Sequence, residues 1–422
     1  MGASPLGAQT GTAMDFARRP GPDTPPSHDP SLHDPSFHDP SFGYPALATQ
    51  EADRSFSAGV HYESAGLFRP ALQSFHSAAT LYKCALDHPP EFSHTTRHGP
   101  GQIRPLLAYA CVRLAHLEHD ALDDPAAASR LYLDAIELDP EPSAVSFDGL
   151  GTSLEANGGP REEALEAYRK AHERSPSAQA VAFHLAVCAE RSGDGVLSRE
   201  LFDRLRSLGG VGANSLVDSW GYVRWHMRKT GAEELNLHRG TRAMLELGLE
   251  RARPLIESGG LVCEFGVSYG RSTRILAELL PPAQRIVGFD SFEGLPQAWG
   301  GEPAGSYTTN GEVPSVAPNV EFRAGLFADT VPAFLAEPDQ SSSPLAFANV
   351  DCDLYSSTND VLEAIQSRVV AGTILVFDEY ICHPTWRQDE FRSFRESCKR
   401  FGWSYEYLAF SLTSKQAIVR II

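Results

Sequence analysis

The stretch LVCEFGVSYGRST, residues 261–273, decides the fold. Leu261, Val262, Cys263 and Phe265 make a short apolar run of the kind that fills a buried strand, with an acid, Glu264, near its end. The chain then turns through Gly266 and Gly270 and enters a helix at Arg271, with Ser272 in its first turn. Glycine suits such a turn because it takes positive φ without steric cost and lets a ligand lie against bare backbone. Strand, glycine turn and helix in that order open an α/β domain, so a Rossmann-like sheet is predicted over the residues that follow.

The spacing narrows the ligand. A dinucleotide fold carries G-x-G-x-x-G, whose close-set glycines admit a pyrophosphate to a helix N-terminus. Here the pattern is acid-x-Gly-x-x-x-Gly with no lysine nearby. An uncharged linker can cross these glycines while the acid holds a cationic head group. S-adenosyl-L-methionine offers both, in its sulfonium and its ammonium. Glu264, Gly266, Gly270 and Ser272 are therefore the first expected cofactor residues.

Working outward, the helix carries Ile275, Leu276, Leu279 and Leu280 and stops at Pro281-Pro282. A second strand, Arg285 to Phe289, ends in Asp290, with Ser291 behind it. An acid at this carboxyl edge can accept both hydroxyls of an adenosine ribose. It would also suit NAD, which the missing third glycine argues against. Residues 291–318 form a long Gly/Pro-bearing loop of the sort that makes lids, with Phe292, Leu295, Trp299 and Tyr307 as candidate acceptor-pocket side chains. The third strand, Val320 to Ala324, leads to Phe327, an expected stacking partner for adenine.

The fourth strand, Leu345 to Val350, delivers Asp351-Cys352-Asp353 to the same rim, and a fifth, Thr373 to Phe377, delivers Asp378-Glu379. Converging carboxylates are costly unless protons or a cation neutralise them, and all-oxygen ligands select a hard ion, magnesium (Mg2+) first, with Mn²⁺ or Ca²⁺ as alternatives. The structural alternative is that Asp353 caps the next helix and Glu379 faces solvent. Asp351 and His383 are the candidate general bases, and Asp351, like Ser291, is also an expected cofactor residue. Trp386, Asp389 and Glu390 continue the His383 loop and are candidates to close over the acceptor. Ser404 to Phe410 and Gln416 to Ile421 read as a final antiparallel hairpin, completing seven strands.

Residues 1–50 are rich in Pro, Ser, Asp and His, with HDPSL and two HDPSF copies between positions 28 and 42, and are expected to be a disordered tail. His28, His33 and His38 lack a scaffold to gather them around a metal. Residues 51–208 show repeating helical periods. Residues 209–258 read as connecting helices, with an aromatic seam at Trp220, Tyr222, Val223 and Trp225. The remaining residues, 259–422, form the predicted catalytic domain. A formal charge of −18 over 422 residues argues against a nucleic-acid partner. Seven scattered cysteines without a C-x-x-C pair suit reduced thiols and a cytoplasmic location. No apolar run is long enough for a signal peptide or a membrane span.

Two resemblances follow. Gly59, Tyr62, Ala71, Phe75 and Ala78, then Ala128, Tyr132 and Ala135, then Gly151, Ala164, Tyr168 and Ala171, make residues 51–208 resemble tetratricopeptide repeats. That likeness implies either a module recruiting a protein partner or a structural arm. The blocks CEFGVSYGRST, GFDSFEGLP, VDCDLYSST and GTILVFDEY make residues 235–422 similar to class I S-adenosylmethionine-dependent methyltransferases. Within these, they resemble the macrocin O-methyltransferase (TylF-like) family. The resemblance implies metal-dependent methyl transfer to a sugar hydroxyl, with Asp351, Asp378 and Glu379 as the metal ligands. That family usually has Asp-Asp where this chain has Asp378-Glu379, and it usually lacks a repeat domain. The rival readings are a protein methyltransferase fed by the repeats and an adaptor with a vestigial catalytic fold.

Overall fold

The structure, a computed structural model, describes residues 44–87, 98, 100–230, 234–338 and 342–422. The histidine-bearing pentapeptides lie outside them. Pro45–Ile422 form one compact unit.

Helices fill the first half: α1 (Tyr44–Ser64), α2 (Phe68–Asp87), α3 (Pro100–Asp120), α4 (Pro125–Leu138), α5 (Ala144–Ala156), α6 (Arg161–Arg174), α7 (Gln179–Arg191), α8 (Gly195–Ser207) and α9 (Val211–Thr230). The first of these begins inside the segment expected to be tail, and its Ala48 and Ala52 are buried. Side-chain caps fix several starts. Asp124 accepts from Ala127 N at 2.7 Å, Ser143 from Ser146 N at 3.2 Å, and Asp194 from Leu197 N at 3.1 Å. Small residues set how closely the helices approach. A Cβ on Gly59 would fall 2.7 Å from the Phe75 ring, and one on Gly151 2.7 Å from Tyr168.

The second half adds α10 (Thr241–Glu257), β1 (Leu261–Phe265), α11 (Arg271–Leu279), β2 (Ile286–Asp290), β3 (Val320–Ala324), α12 (Phe327–Leu335), β4 (Leu345–Val350), α13 (Tyr355–Ile365), β5 (Ile374–Phe377), α14 (Glu390–Phe401), β6 (Tyr405–Phe410) and β7 (Ala417–Ile421). One seven-stranded sheet runs in the order β3-β2-β1-β4-β5-β7-β6. The first five strands are parallel, and β7 enters antiparallel between β5 and β6. Alternate side chains serve opposite faces, as the two-residue period requires. Val262, Phe347, Ile374 and Val376 join α10 and α11 on one face, while Cys263, Phe265, Ala348 and Leu375 join α12 and α13 on the other. Full burial of each large apolar side chain is worth about 1.5–3 kcal/mol.

The helical half does not stand apart. Phe68, Phe75, Leu114 and Leu117 share one core with α10, α11 and the sheet. The aromatic seam holds for Tyr222, whose ring packs on Trp386, Phe391 and Tyr407, and for buried Trp220. Trp225, at 57% exposure, faces outward instead. Asp120 of α3 pairs with Arg271, the first residue of α11, so a helix of the first half abuts the end of the glycine turn.

Candidate functional site

The parallel strands end along one rim, and a cavity of roughly 470 Å³ opens there. Its lining comes from the β1 turn, the β2 end, the 291–318 loop, the start of α12 and the exits of β4 and β5. Gly266, at φ +93°, lines it because nothing larger fits: a Cβ would lie 1.8 Å from the Asp351 carbonyl oxygen. Ser268, Tyr307 and Asp353, also in the lining, hold left-handed backbone at φ 48°, 63° and 57°. Such strain costs of order 1 kcal/mol or more per residue and concentrates at working sites.

Of the expected cofactor residues, Gly266, Asp290, Ser291, Phe327 and Asp351 line the cavity. Asp290 is already engaged: Oδ2 accepts from Val267 N and Ser268 N at 2.7 Å each, and Oδ1 from Phe292 N at 2.7 Å. It therefore staples the β1 turn to the end of β2. A carboxylate has about four lone-pair sites, so little capacity is left for two ribose hydroxyls without the loop yielding.

Glu264, Gly270 and Ser272 lie behind the cavity. Glu264 is fully buried; Thr273 Oγ1 donates to its Oε2 and Asn349 Nδ2 to its Oε1 at 3.0 Å. Burial pushes its carboxyl up to about 7, against the pull of Thr273, Ser272 and Asn349. Its place is under the glycine turn, where it ties β1 to β4 and α11, rather than out where a head group would sit. Gly270, at φ +77°, is the left-handed residue that starts α11.

Beyond β4 and β5 the acids meet one another. Asp351, Asp353, Asp378 and Glu379 all line the cavity. Burial, then the charge of Asp378, raises Asp351 well above the ordinary carboxylate range and Asp353 to about 7. Burial likewise raises Asp378, whose Oδ1 accepts from Gln416. Glu379 is pushed up to about 7, and Lys415 Nζ reaches both of its oxygens at 3.2 Å. Asp353 does not cap α13: that helix begins after Leu354 with no side-chain cap.

His383 is not in the lining. Its buried Nε2 contacts the Glu379 carbonyl oxygen at 2.8 Å and its ring packs on Trp299, while burial lowers its pKa to about 4. A ring so enclosed is badly placed to take a proton from an acceptor. Trp299 is likewise structural, donating to Asp389 Oδ2 at 3.1 Å, and Phe292 is buried beneath the loop. Trp386, Asp389 and Glu390 do not line the cavity either, because Trp386 and Glu390 are buried and Asp389 accepts from Trp299 and Thr385. Leu295 and Tyr307 do line it, together with Gln297, Ser356, Ser357 and Asp360, which the sequence reading passed over. Polar residues just inside α13 were the available signal.

Residues 263–380 match the family model described as a methyltransferase domain. The chain is an S-adenosylmethionine-dependent methyltransferase. The matched span runs from β1 to just past β5, and so holds the whole cavity rim. Among solved structures, the calicheamicin methyltransferase CalS11 is similar at 24% identity over 53% of this chain and 92% of that one, with a TM-score of 0.34. The O-methyltransferase NovP shows 21% identity over 44% and 81%, at 0.32. An O-methyltransferase from Bacillus cereus in complex with SAH shows 15% over 49% and 99%, at 0.28. Scores this low leave the assignment to the domain match. No curated protein matches the chain.

Does the methyltransferase rim suit a divalent ion? Asp351 and Asp378 are hard oxygen donors crowded into low dielectric, a set that a hard cation would relieve. The expected third ligand, Glu379, is paired with Lys415. Among the described residues no group of three His, Cys, Asp or Glu side chains is gathered to hold a metal. The donor chemistry fits, then, for two of the three expected ligands. No helix among the described residues is long and apolar enough to cross a membrane.

Proposed function

We propose that this class I methyltransferase methylates a hydroxyl of an uncharged small molecule, a sugar or a natural product bearing one, in the cytoplasm. The observation that carries the reading is the residue make-up of the cavity wall. Asp290, Asp351, Asp353, Asp360, Asp378 and Glu379 line it, and among the described residues no lysine or arginine does. Such a wall offers a phosphate-bearing acceptor no cationic partner, and its acids can accommodate the sulfonium of the cofactor.

The chemistry needs little beyond alignment and a base. The acceptor oxygen attacks the methyl carbon in line with the sulfur, the C–S bond breaks, and S-adenosylhomocysteine leaves with the sulfur neutral. Asp351, on the rim between the β1 turn and Asp378, is placed to take the hydroxyl proton. Its raised pKa makes it a stronger base than an ordinary carboxylate, and a cation entering the cavity draws it back toward the charged form. Tyr307, Leu295 and Gln297 shape the acceptor side, and Gln297 Nε2 donates to Ser356 Oγ at 3.3 Å. A divalent ion, when bound, would be held by Asp351 and Asp378 and would acidify the hydroxyl. The tetratricopeptide-like half serves as a supporting arm in this reading, since it shares its core with the sheet.

The test is methyl transfer from labelled S-adenosylmethionine to a panel of neutral methyl glycosides, nucleoside-diphosphate sugars and a protein extract, each with and without EDTA. Transfer to neutral glycosides supports the reading. Preference for nucleotide sugars, or label in protein alone, overturns it.

A further inference from the structure

Glu390, the first residue of α14, is fully buried although it carries a carboxylate, and it reaches two different loops. Its Oε1 accepts from Cys352 N at 3.0 Å and its Oε2 from Glu379 N at 3.2 Å. Cys352 lies between Asp351 and Asp353, and Glu379 follows Asp378. One side chain thus holds by the backbone both segments that present acids to the cavity. Burying an acid beside other acids is costly, and a neutral acceptor there would avoid the charge repulsion. A glutamine could not replace it. One end of its amide would be an NH₂ facing a backbone N–H, and only a carboxylate offers acceptors at both ends. The loops have few other fixings across their gap: Cys352 Sγ contacts Phe265 O at 3.6 Å, and Asp351 N and Asp378 N continue the strand ladder to Phe265 O and Val350 O.

We infer that Glu390 is a positioning residue for methyl transfer, a carboxylate clamp that sets the spacing of the Asp351–Asp353 and Asp378–Glu379 loops and so the alignment of acceptor, base and methyl. This rests on the reading of that acidic rim as the acceptor side. Because Glu390 lies outside the cavity lining, it acts through the two loops and not on the reacting atoms.

Three measurements test it. In the wild-type protein, hydrogen exchange is predicted to find the amides of Cys352 and Glu379 protected. In Glu390→Gln at least one of them should speed up by about tenfold, the worth of one hydrogen bond. The amides of Val267 and Ser268, held by Asp290, should stay as they were. Turnover of whichever methyl glycoside the wild type accepts should fall about 10²-fold in Glu390→Gln, the cost of slight misalignment, with calorimetric affinity for S-adenosylmethionine unchanged. Glu390→Asp, one methylene short of spanning both loops, should not rescue it. Unprotected amides in the wild type overturn the clamp, as does a Glu390→Gln protein with normal turnover, or one whose cofactor affinity falls in step with turnover. Should the variant not fold, wild-type exchange decides alone. Should no glycoside be turned over by the wild type, the proposed acceptor fails while the exchange result still stands or falls by itself.

Discussion

Two aspartates mark the ends of the strands on either side of β1, and they live in opposite surroundings. Asp290, the last residue of β2, spends its carboxylate on three backbone N–H groups and fixes a loop. Asp351, after β4, faces other acids and is driven toward its protonated form. A carboxylate saturated by amides is a structural anchor, whereas one crowded by like charge is held ready to take up a cation or release a proton. In the proposed reading the rim has a cofactor side, built on backbone, and an acceptor side, built on crowded acids.

The most severe way to break that division is at the reacting end. Asp351→Asn should lower methyl transfer by about 10²–10⁴-fold, the usual worth of a positioned base, in a turnover assay at saturating cofactor. Activity within a few fold of wild type would move the base elsewhere. Next comes Gly266→Ala, which puts a Cβ against the Asp351 carbonyl at a positive φ. It should cost about 2–4 kcal/mol in denaturant unfolding and impair both sides at once, because this glycine is where they touch.

How far the division was readable from sequence follows the same line. The glycine turn, the order of strands and the acids at their ends are local patterns, and they placed the rim. Glu264 read as a ligand because its partners, Thr273 nine residues on and Asn349 on a neighbouring strand, are visible only once β1 and β4 pair in register. An asparagine inside the apolar run LAFANV was the one hint that something polar waited beside it. His383 read as a base for the same reason: its enclosure by Trp299 and the Glu379 carbonyl comes from folding the 291–318 loop onto the loop after β5. Glu390 sits 38 residues from Cys352, and nothing local to a helix start announces a carboxylate that reaches across two loops.

Acidity sharpens the comparison further. Asp353 and Glu379 are raised to about 7, so the folded state binds protons more tightly than the unfolded chain. Their contribution to stability is fully present below the unfolded carboxylate range and is lost as pH rises through 7. Thermal melts should therefore show lower stability at pH 8 than at pH 5. Asp353→Asn should flatten that slope, and millimolar Mg²⁺ should recover stability mainly at the alkaline end. A melting temperature independent of pH and of Mg²⁺ would mean that the acids are not coupled as described. The smallest effect is expected at His383: His383→Gln should leave turnover within about threefold, far short of the loss of a positioned base.

The central claim is the split between the two sides, and calorimetric titration of S-adenosylmethionine into Asp290→Asn and Asp351→Asn side by side tests it most directly. Asp290→Asn should bind the cofactor roughly tenfold more weakly, since an amide cannot accept at every N–H that the carboxylate satisfies. Asp351→Asn should bind it as the wild type does. The reverse order of affinities would contradict the account.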